Sequence, residues 1–249
     1  MLVVISPAKK IDMSEYQTVD ISEPLFTEKT QELVNVMQSL DVEDIKNLMG
    51  ISNNLAKLNA DRFLNFGAQE RKAAIFAFAG DTYQGLDAKT LEHADLIWAQ
   101  ANLRIISGLY GLLRPLDEIE PYRLEMGSRL STGKGKNLYE FWGSQLSNSL
   151  NEIAQETNSE ALINCASKEY FSAVDRKNLE VSVTTPSFLE SNNGKPKIIS
   201  FYAKRARGAM ARFVLQHRIK KRSELEMFQV GGYKYQPDMS DQSSMIFLR

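Results

Sequence analysis

Short runs of apolar residues recur along the chain and predict the strands of a buried sheet. Residues 2–5 form the first run, and later ones cover 73–78, 104–107, 161–165, 197–202 and 245–248. Apolar runs of this length, bounded by turn residues, are typical of strands that are covered on both faces. The alternating segment 179–184 is expected to pair with 198–202 through a turn at 191–194.

Amphipathic segments lie between these runs and predict helices. Apolar positions recur every three or four residues over 24–40, 91–103, 138–155 and 203–219. Pro24 suits the first turn of a helix, and Ser167 suits the cap of a further short helix. Because no repeat or linker interrupts the pattern, we predict a single domain over 1–249 of mixed α/β class. A central mixed sheet would be surrounded by helices, with a helical lobe at about 24–66.

Two short helical patterns around Gly50 resemble a helix-hairpin-helix element. They are joined by Gly50, Ile51 and Ser52, and Lys57 lies in the second helix. The N–H groups at the start of a helix lack intrahelical partners and favour an anion such as a DNA phosphate. Ser52 stands where the motif has a second glycine, and it can cap the second helix. These four residues are candidate DNA contacts, although two helices around a glycine turn are also common without a ligand.

The segment 195–222 carries the strongest charge in the sequence. It contains no Asp or Glu, and its cations are Lys195, Lys197, Lys204, Arg205, Arg207, Arg212, Arg218, Lys220, Lys221 and Arg222. Gly208 lies on the same face of the predicted helix as Arg205 and Arg212, which indicates close approach of another group to the backbone. An acid-free face favours anion binding, because solvated faces usually mix both signs. A solvated Lys/Arg face is the alternative. The candidate DNA contacts here are Lys204, Arg205, Arg207 and Arg212.

Other ionisable residues concentrate in turns and at strand ends, where sites are commonly built. They form a candidate pocket of Lys9, Asp81, Tyr83, Arg114, Arg123, Glu125, Lys168, Glu169 and Tyr170. Lys9, Arg114 and Arg123 would hold an anionic group, and Asp81, Glu125 or Glu169 would act as acid or base. The structural alternatives are an Asx-turn at Asp81 and an ion-pair network of Arg123 with Glu125 on one face of a strand.

Composition limits the class of protein. The 249 residues are 43% hydrophobic, which supports a proper core, and a net charge of −1 confines any nucleic-acid binding to one face. The single cysteine, Cys165, excludes an intrachain disulfide and is expected to be a packed thiol in a reducing compartment. The start of the chain has no signal-peptide core and no apolar run is long enough to span a membrane, so we expect a cytoplasmic protein. His93 and His217 do not complete a metal site, and no cofactor is expected.

Several motifs together resemble the YaaA family of bacterial peroxide-stress proteins. They span nearly the whole chain: SPAK at 6–9, GDTYQGL at 80–86, SGLYG at 107–111, LRP at 113–115, YRLEM at 122–126, LYEFW at 138–142, ASKEY at 166–170 and ISFYAK at 199–204. The resemblance implies a cytoplasmic protein that limits free intracellular iron and hence Fenton damage by hydrogen peroxide. It also implies an unusual α/β fold that binds double-stranded DNA through a helix-hairpin-helix element and a positive cleft. No iron ligand set is recognisable in the sequence, so we expect any effect on iron to be indirect.

Three functions fit these residues. The first is binding of duplex DNA without sequence preference, because phosphate contacts position a protein but read no bases. The second is an enzyme that acts on a phosphorylated or nucleic-acid substrate in the candidate pocket, which would equally suit a small anionic ligand. The third is a scaffold whose basic face meets an acidic protein.

Overall fold

The computed structural model describes residues 1–15, 20–192 and 195–249, so the turn predicted at 191–194 lies partly outside the described residues. The strands are β1 (Leu2–Ile5), β2 (Lys10–Ile11), β3 (Lys72–Ala73), β4 (Phe78–Ala79), β5 (Leu103–Ser107), β6 (Gly111–Leu113), β7 (Glu118–Ile119), β8 (Ala161–Asn164), β9 (Ser182–Asn192), β10 (Lys195–Lys197), β11 (Lys234–Tyr235) and β12 (Ser244–Leu248).

The α-helices surround these strands in the chain order that the periodicity predicts. They are α1 (Thr27–Gln38), α2 (Val42–Met49), α3 (Asn53–Leu64), α4 (Ala74–Ala77), α5 (Asp81–Leu86), α6 (His93–Asn102), α7 (Leu138–Trp142), α8 (Gln145–Glu156), α9 (Lys168–Phe171) and α10 (Ser200–His217). Short 3-10 helices cover Ala88–Thr90, Arg222–Met227, Val230–Gly232 and Pro237–Met239.

An eight-stranded mixed sheet forms the centre of the fold and confirms the predicted class. Its main path runs β11-β12-β9-β8-β1-β5-β6, and β10 pairs with β9 as a hairpin arm. Neighbours from β12 to β5 run parallel, whereas β6, β10 and β11 are antiparallel to their partners. Val3 of β1 lies opposite Leu103 on one side and Ile163 on the other. Leu2 to Ile5 are fully buried, as a doubly covered central strand requires.

The order of the parallel strands reverses beside β1. The next parallel strand in the sequence, β5, lies on one side of β1, and the chain then places β8 and β9 on the other side. In open α/β sheets a crevice forms outside the carboxyl ends of the strands where this order reverses. The segments that follow β1 and β8 therefore border that crevice.

Helices α1, α2 and α3 occupy the range for which the sequence predicts a helical lobe. Helix α2 begins with a capping box between Asp41 and Asp44 and ends at Gly50, which is left-handed at φ 60°. Ser52 caps α3 and accepts a hydrogen bond from the Leu55 N–H at 3.4 Å. The sequence thus encodes both ends of the hairpin locally, and the predicted helix boundaries hold to within two or three residues.

The strand predicted at 73–78 is wrong. Only the two ends of this segment have extended backbone, in β3 and β4, and the helical turn α4 lies between them. The N–H of Ala74 donates to the Asp117 carbonyl and that of Ile75 to the Pro115 carbonyl, both at 2.9 Å. All of 73–78 is buried, and a run that is apolar on every side does not distinguish a strand from a helical turn.

Four further local predictions need correction. The tight turn expected around Asp81 is helix α5, the strand expected to continue to Tyr202 ends at Lys197, and α10 then begins at Ser200. The helix predicted over 138–155 breaks at Gly143, whose φ of 51° is unsuitable for a continuing helix. Residues 121–126 form no strand, although Arg123 and Glu125 do form an ion pair at 2.9 Å. Apart from the local break at Gly143, packing against distant segments outweighs a local preference in these cases.

Candidate functional site

A cavity of about 370 Å³ lies at the carboxyl ends of β1 and β8, where the strand order reverses. Four parts of the chain contribute to its wall: the segment after β1, the start of α5, the segment from β8 into α9, and one face of α10. Its polar and charged lining comprises Ser6, Lys9, Lys10, Asp81, Thr82, Cys165, Ser167, Glu169, Tyr170, Lys204 and Arg207. The cavity therefore joins residues that are far apart in sequence.

Two serines tie the carboxyl ends of β1 and β8 together. The Ser167 N–H donates to Ser6 Oγ at 2.8 Å, and Ser6 Oγ donates to Ser167 Oγ at 3.3 Å. Tyr83 is buried, and its hydroxyl donates to the Ser6 carbonyl at 3.2 Å. Burial raises the pKa of Tyr83 well above its ordinary value, so this phenol stays neutral. The floor of the cavity is thus held by neutral hydrogen bonds.

Arg207 places an uncompensated positive charge in the wall of the cavity. Its side chain is half-buried, and within residues 1–15, 20–192 and 195–249 no carboxylate lies within ion-pair distance of it. Burial lowers the pKa of this guanidinium, which nevertheless remains charged near neutral pH. Lys204, one turn earlier on α10, is exposed on the same cavity. A half-buried cation without a counter-charge favours an anionic ligand.

Carboxylates line another part of the same cavity. Glu125 bridges two cations, since Lys9 Nζ lies 2.8 Å from its Oε2 and Arg123 donates to its Oε1 at 2.9 Å. Glu169 accepts a hydrogen bond from the Gly127 N–H at 3.0 Å. Asp81 is half-buried at the start of α5. The structure therefore brings together most of the predicted pocket: Lys9, Asp81, Glu169 and Tyr170 directly, and Arg123 and Glu125 through Lys9.

Two of the predicted pocket residues lie elsewhere. Arg114 donates to Asp117 Oδ1 at 2.9 Å and to the Glu23 carbonyl at 2.8 Å, and it does not line the cavity. Lys168 is exposed and does not line the cavity. The sequence places both residues in the predicted pocket from local context alone. Arg114 precedes a proline and Lys168 precedes a glutamate, and neither pattern shows which groups the side chain contacts.

The predicted phosphate-binding cations divide into two groups. Lys204 and Arg207 line the cavity, and Arg205 is exposed to solvent on α10. Arg212 instead donates to the carbonyls of Leu86 at 3.0 Å and Thr90 at 3.4 Å, and also to that of Asp87. It therefore stabilises the carboxyl end of α5. Arg218 is similarly occupied, because it pairs with Asp95 at 2.8 Å and lies over the Trp98 ring.

The Gly50 hairpin joins α2 to α3, with Ser52 exposed at the amino end of α3. Among the described residues, no acceptor lies on the N–H groups of Ser52, Asn53 and Asn54, whereas those of Ile51 and Leu55 are bonded. Lys57 is exposed one turn into α3. The hairpin thus has three open N–H donors beside one lysine, and Ile51 packs inward rather than contributing a donor.

Ser6 and Ser167 are site residues that sequence reasoning did not identify. Each follows a strand of the parallel core, and Ser167 is recognisable from the sequence only as a helix cap. The available signal is their position within three residues of the ends of β1 and β8, since the carboxyl ends of adjacent parallel strands meet at one edge of the sheet. In the described part of the chain, no group of three His, Cys, Asp or Glu residues could hold a metal ion, and no helix is long and apolar enough to cross a membrane.

We expect Cys165 to resist oxidation in the native protein. It is 1% exposed, and burial raises the pKa of its thiol to about 12. The thiolate, and not the thiol, attacks hydrogen peroxide. Mass spectrometry after treatment at neutral pH should therefore find Cys165 reduced, and oxidised only when urea is added first. The free energy of unfolding should also fall as the pH rises from about 9 towards 12, because only the unfolded chain then loses the proton. Rapid formation of a sulfenic acid in the folded protein would contradict this assignment.

Comparisons with known proteins cover the whole chain. The family described as "Peroxide stress protein YaaA" matches residues 1–239. A UPF0246 protein of Ruegeria pomeroyi is 52% identical over 253 residues, which cover 100% of this chain and 98% of that protein. UPF0246 proteins of Roseobacter denitrificans and Hahella chejuensis are 52% and 47% identical, again over 100% of this chain and over 98% and 99% of their own lengths. The cavity and the hairpin both fall inside the matched region.

Proposed function

Because the chain belongs to the family of the peroxide stress protein YaaA, we propose that it protects the cytoplasm against peroxide by binding duplex DNA. The contacts would go to phosphates and would not depend on base sequence. Such binding neutralises backbone charge and releases condensed counterions, so its affinity falls steeply with salt. The helix-hairpin-helix-like element and the cations of α10 would supply these contacts.

The half-buried Arg207 is the observation that carries this proposal. Its charge has no acidic partner among the described residues, and Lys204 and Arg205 lie within one turn of it on α10. Arg212 and Arg218 hold structural acceptors, so the phosphate-binding role concentrates on these three cations. An arginine that donates a planar pair of N–H groups suits a phosphate oxygen pair better than a lysine does.

The hairpin supplies the second proposed contact. The open N–H groups of Ser52, Asn53 and Asn54 point outward from the start of α3, where the helix dipole also favours an anion. Lys57 would neutralise the neighbouring phosphate. The acidic residues Asp41 and Asp44 lie at the amino end of α2, away from the Gly50 turn. Their negative charge repels DNA there, so the turn itself is the point of contact.

Protection from Fenton chemistry would follow from the same binding. Cations of the protein displace counterions from DNA, and iron(II) held at phosphates would be among the ions displaced. Hydroxyl radicals would then form farther from the sugar-phosphate backbone. This mechanism needs no iron ligands on the protein.

A double charge reversal tests the proposal. We expect Lys204→Glu with Arg207→Glu to weaken binding of a random-sequence duplex at least tenfold at low salt, as measured by fluorescence anisotropy, and to flatten the salt dependence. The matched control is Lys220→Glu with Lys221→Glu, which changes the same charge on exposed side chains. Lys220 lies near the Met1 amino group, at the end of β1 opposite to the cavity. Equal affinity of the wild type and the cavity variant would refute phosphate binding at α10. In parallel, nicking of plasmid DNA by iron(II) and peroxide should fall with wild type and not with the cavity variant.

An enzyme remains the second candidate, because Asp81, Glu169 and Lys9 share the cavity with Arg207, and Lys9 pairs with Glu125 outside the lining. Arg207 and Lys9 would hold a phosphorylated or nucleic-acid substrate, and Asp81 or Glu169 would act as acid or base. Analysis of the binding mixtures used for anisotropy, which contain no iron(II) or peroxide, for strand scission or released phosphate tests this candidate. Products that vanish in Asp81→Asn, with binding retained, would establish it, and the absence of products from duplex, single strand and nucleotide would remove it.

A further inference from the structure

Four side chains form a stacked row beside the amino end of α10. The Arg249 guanidinium lies 4.8 Å from the centre of the Tyr233 ring and 4.4 Å from the centre of the Tyr202 ring. The Tyr202 and Phe201 rings follow at a centre-to-centre distance of 3.9 Å and are tilted by 36°. The row therefore runs from Tyr233 through Arg249 and Tyr202 to Phe201.

The inner end of this row is fixed by an ion pair. Glu190 of β9 binds Arg249 Nε at 2.8 Å and also accepts a hydrogen bond from the Tyr233 hydroxyl. Tyr233 is 3% exposed, so the row is anchored in the body of the protein. Arg249 is in turn held by the β9 backbone through its own N–H. The arrangement is ordered before any ligand arrives, which reduces the entropy cost of binding.

The outer end of the row is open to solvent. Phe201 is 49% exposed and Tyr202 is 37% exposed, and the neighbouring Ile198 is 59% exposed. Such clusters of large exposed apolar side chains mark binding surfaces more often than isolated ones do. An exposed aromatic face on a fixed support suits a flat ring better than an irregular apolar chain.

Cations lie one turn from this aromatic face. Lys204 and Arg205 are three and four residues after Phe201 and therefore neighbour it on the helix surface. Helical side chains lean towards the amino end of their helix, which places both cations within reach of a phosphate whose base stacks on the rings. No carboxylate pairs with either cation in the part of the chain that the structure describes. An aromatic face beside unpaired cations is the combination that recognises bases and phosphates of unstacked nucleotides.

We propose that Phe201 and Tyr202 form a stacking platform for the base of a nucleoside phosphate, with its phosphate at Lys204 and Arg205. The nucleotide is either free or an unpaired unit of a nucleic-acid strand, and only the second source rests on the proposed DNA binding. In a fully paired duplex the base faces are covered, so the duplex cannot use the platform. The platform is thus a site for exposed bases beside the phosphate-binding cavity.

The fluorescence of 2-aminopurine, which stacking quenches, reports on this site directly. Titrations would use 2-aminopurine riboside 5′-monophosphate, a dT tract with one 2-aminopurine, and a covalently closed duplex circle without unpaired ends. We compare the wild type with Phe201→Leu, which keeps an apolar side chain but removes the aromatic face, and with Phe201→Trp, which restores it. Ile97→Ala, an exposed apolar residue on α6, controls for loss of surface hydrophobicity.

We expect quenching by the wild type and by Phe201→Trp, and about tenfold weaker affinity for the labelled tract in Phe201→Leu. Binding of the duplex circle should be unchanged in all of these variants. Quenching of the free monophosphate would identify a nucleotide ligand, whereas quenching of the tract alone would identify a strand. Equal affinity in Phe201→Leu, or no quenching by the wild type, would overturn the platform and leave the surface to a protein partner. If the duplex circle still binds when the platform is overturned, the proposed DNA binding stands without the platform. If the duplex circle does not bind while 2-aminopurine is quenched, the platform stands without the proposed DNA binding.

Discussion

Replacement of Gly208 by alanine should lower the free energy of unfolding by about 3 kcal/mol, although alanine is the better helix former. At an ordinary helical position the change would add about 1 kcal/mol of stability. Here a Cβ would overlap the Thr82 carbonyl oxygen and lie 2.8 Å from the Leu86 backbone nitrogen. Overpacking typically costs 1–3 kcal/mol, and backbone atoms of α5 cannot rotate away as a side chain can. Urea denaturation followed by circular dichroism measures the loss.

Gly133 provides the matched control for Gly208. It lies in a loop, a Cβ there meets nothing within 4 Å, and its φ is not left-handed. Gly133→Ala should therefore change stability by less than about 0.5 kcal/mol. Gly85→Ala should resemble Gly208→Ala, because its Cβ would overlap the Arg205 carbonyl oxygen. A Gly208→Ala protein as stable as wild type would contradict this prediction. It would show that α5 and α10 can move apart without loss of stability, which would also change the cavity wall that they share.

Asp117→Asn should lower the free energy of unfolding by about 3 kcal/mol. The Asp117 side chain is fully buried and accepts hydrogen bonds from Ser22 Oγ at 2.6 Å and from the N–H and Nε of Arg114 at 2.7 and 2.9 Å. It also supplies negative charge near the buried Arg104. The Arg114 side chain is 39% exposed, but Arg104 stays buried without that negative charge. Loss of a hydrogen bond to a charged acceptor costs about 1.5–3 kcal/mol. The asparagine NH₂ group would additionally face the hydroxyl and N–H donors of Ser22 and Arg114.

Asp238→Asn is the control for this substitution, because Asp238 is exposed in a 3-10 helix. It should leave the urea midpoint unchanged, while Asp117→Asn lowers it. Duplex binding per folded molecule should survive Asp117→Asn, since neither Asp117 nor Arg114 lines the cavity. A stable Asp117→Asn protein that no longer binds DNA would instead return Arg114 to the candidate site.

Several features of the fold follow from local patterns alone. The strand at 2–5, most of the amphipathic helices and the caps at Ser52 and Ser167 are where the sequence predicts them. Each is decided by residues within a few positions of one another, through periodicity or a capping hydrogen bond. The family resemblance is likewise readable from motifs along the chain, and the full-length matches confirm it.

Long-range packing decides the remaining features. The sequence shows ten cations in 195–222 but not which of them have partners, and Arg212 is used by carbonyls more than 120 positions away along the chain. The close approach predicted at Gly208 is real, but the group that approaches is helix α5.

The sequence by itself thus determined the class of fold, the family and the presence of a strong basic segment. Only the tertiary structure decided that Arg207 has no counter-charge among the described residues, that Ser6 and Ser167 meet, and that Arg114 does not line the cavity. The physical reason is that periodicity and capping act between neighbours in the chain. The electrostatic state of a side chain depends instead on every charge and dipole within a few ångströms, whatever its position in the sequence.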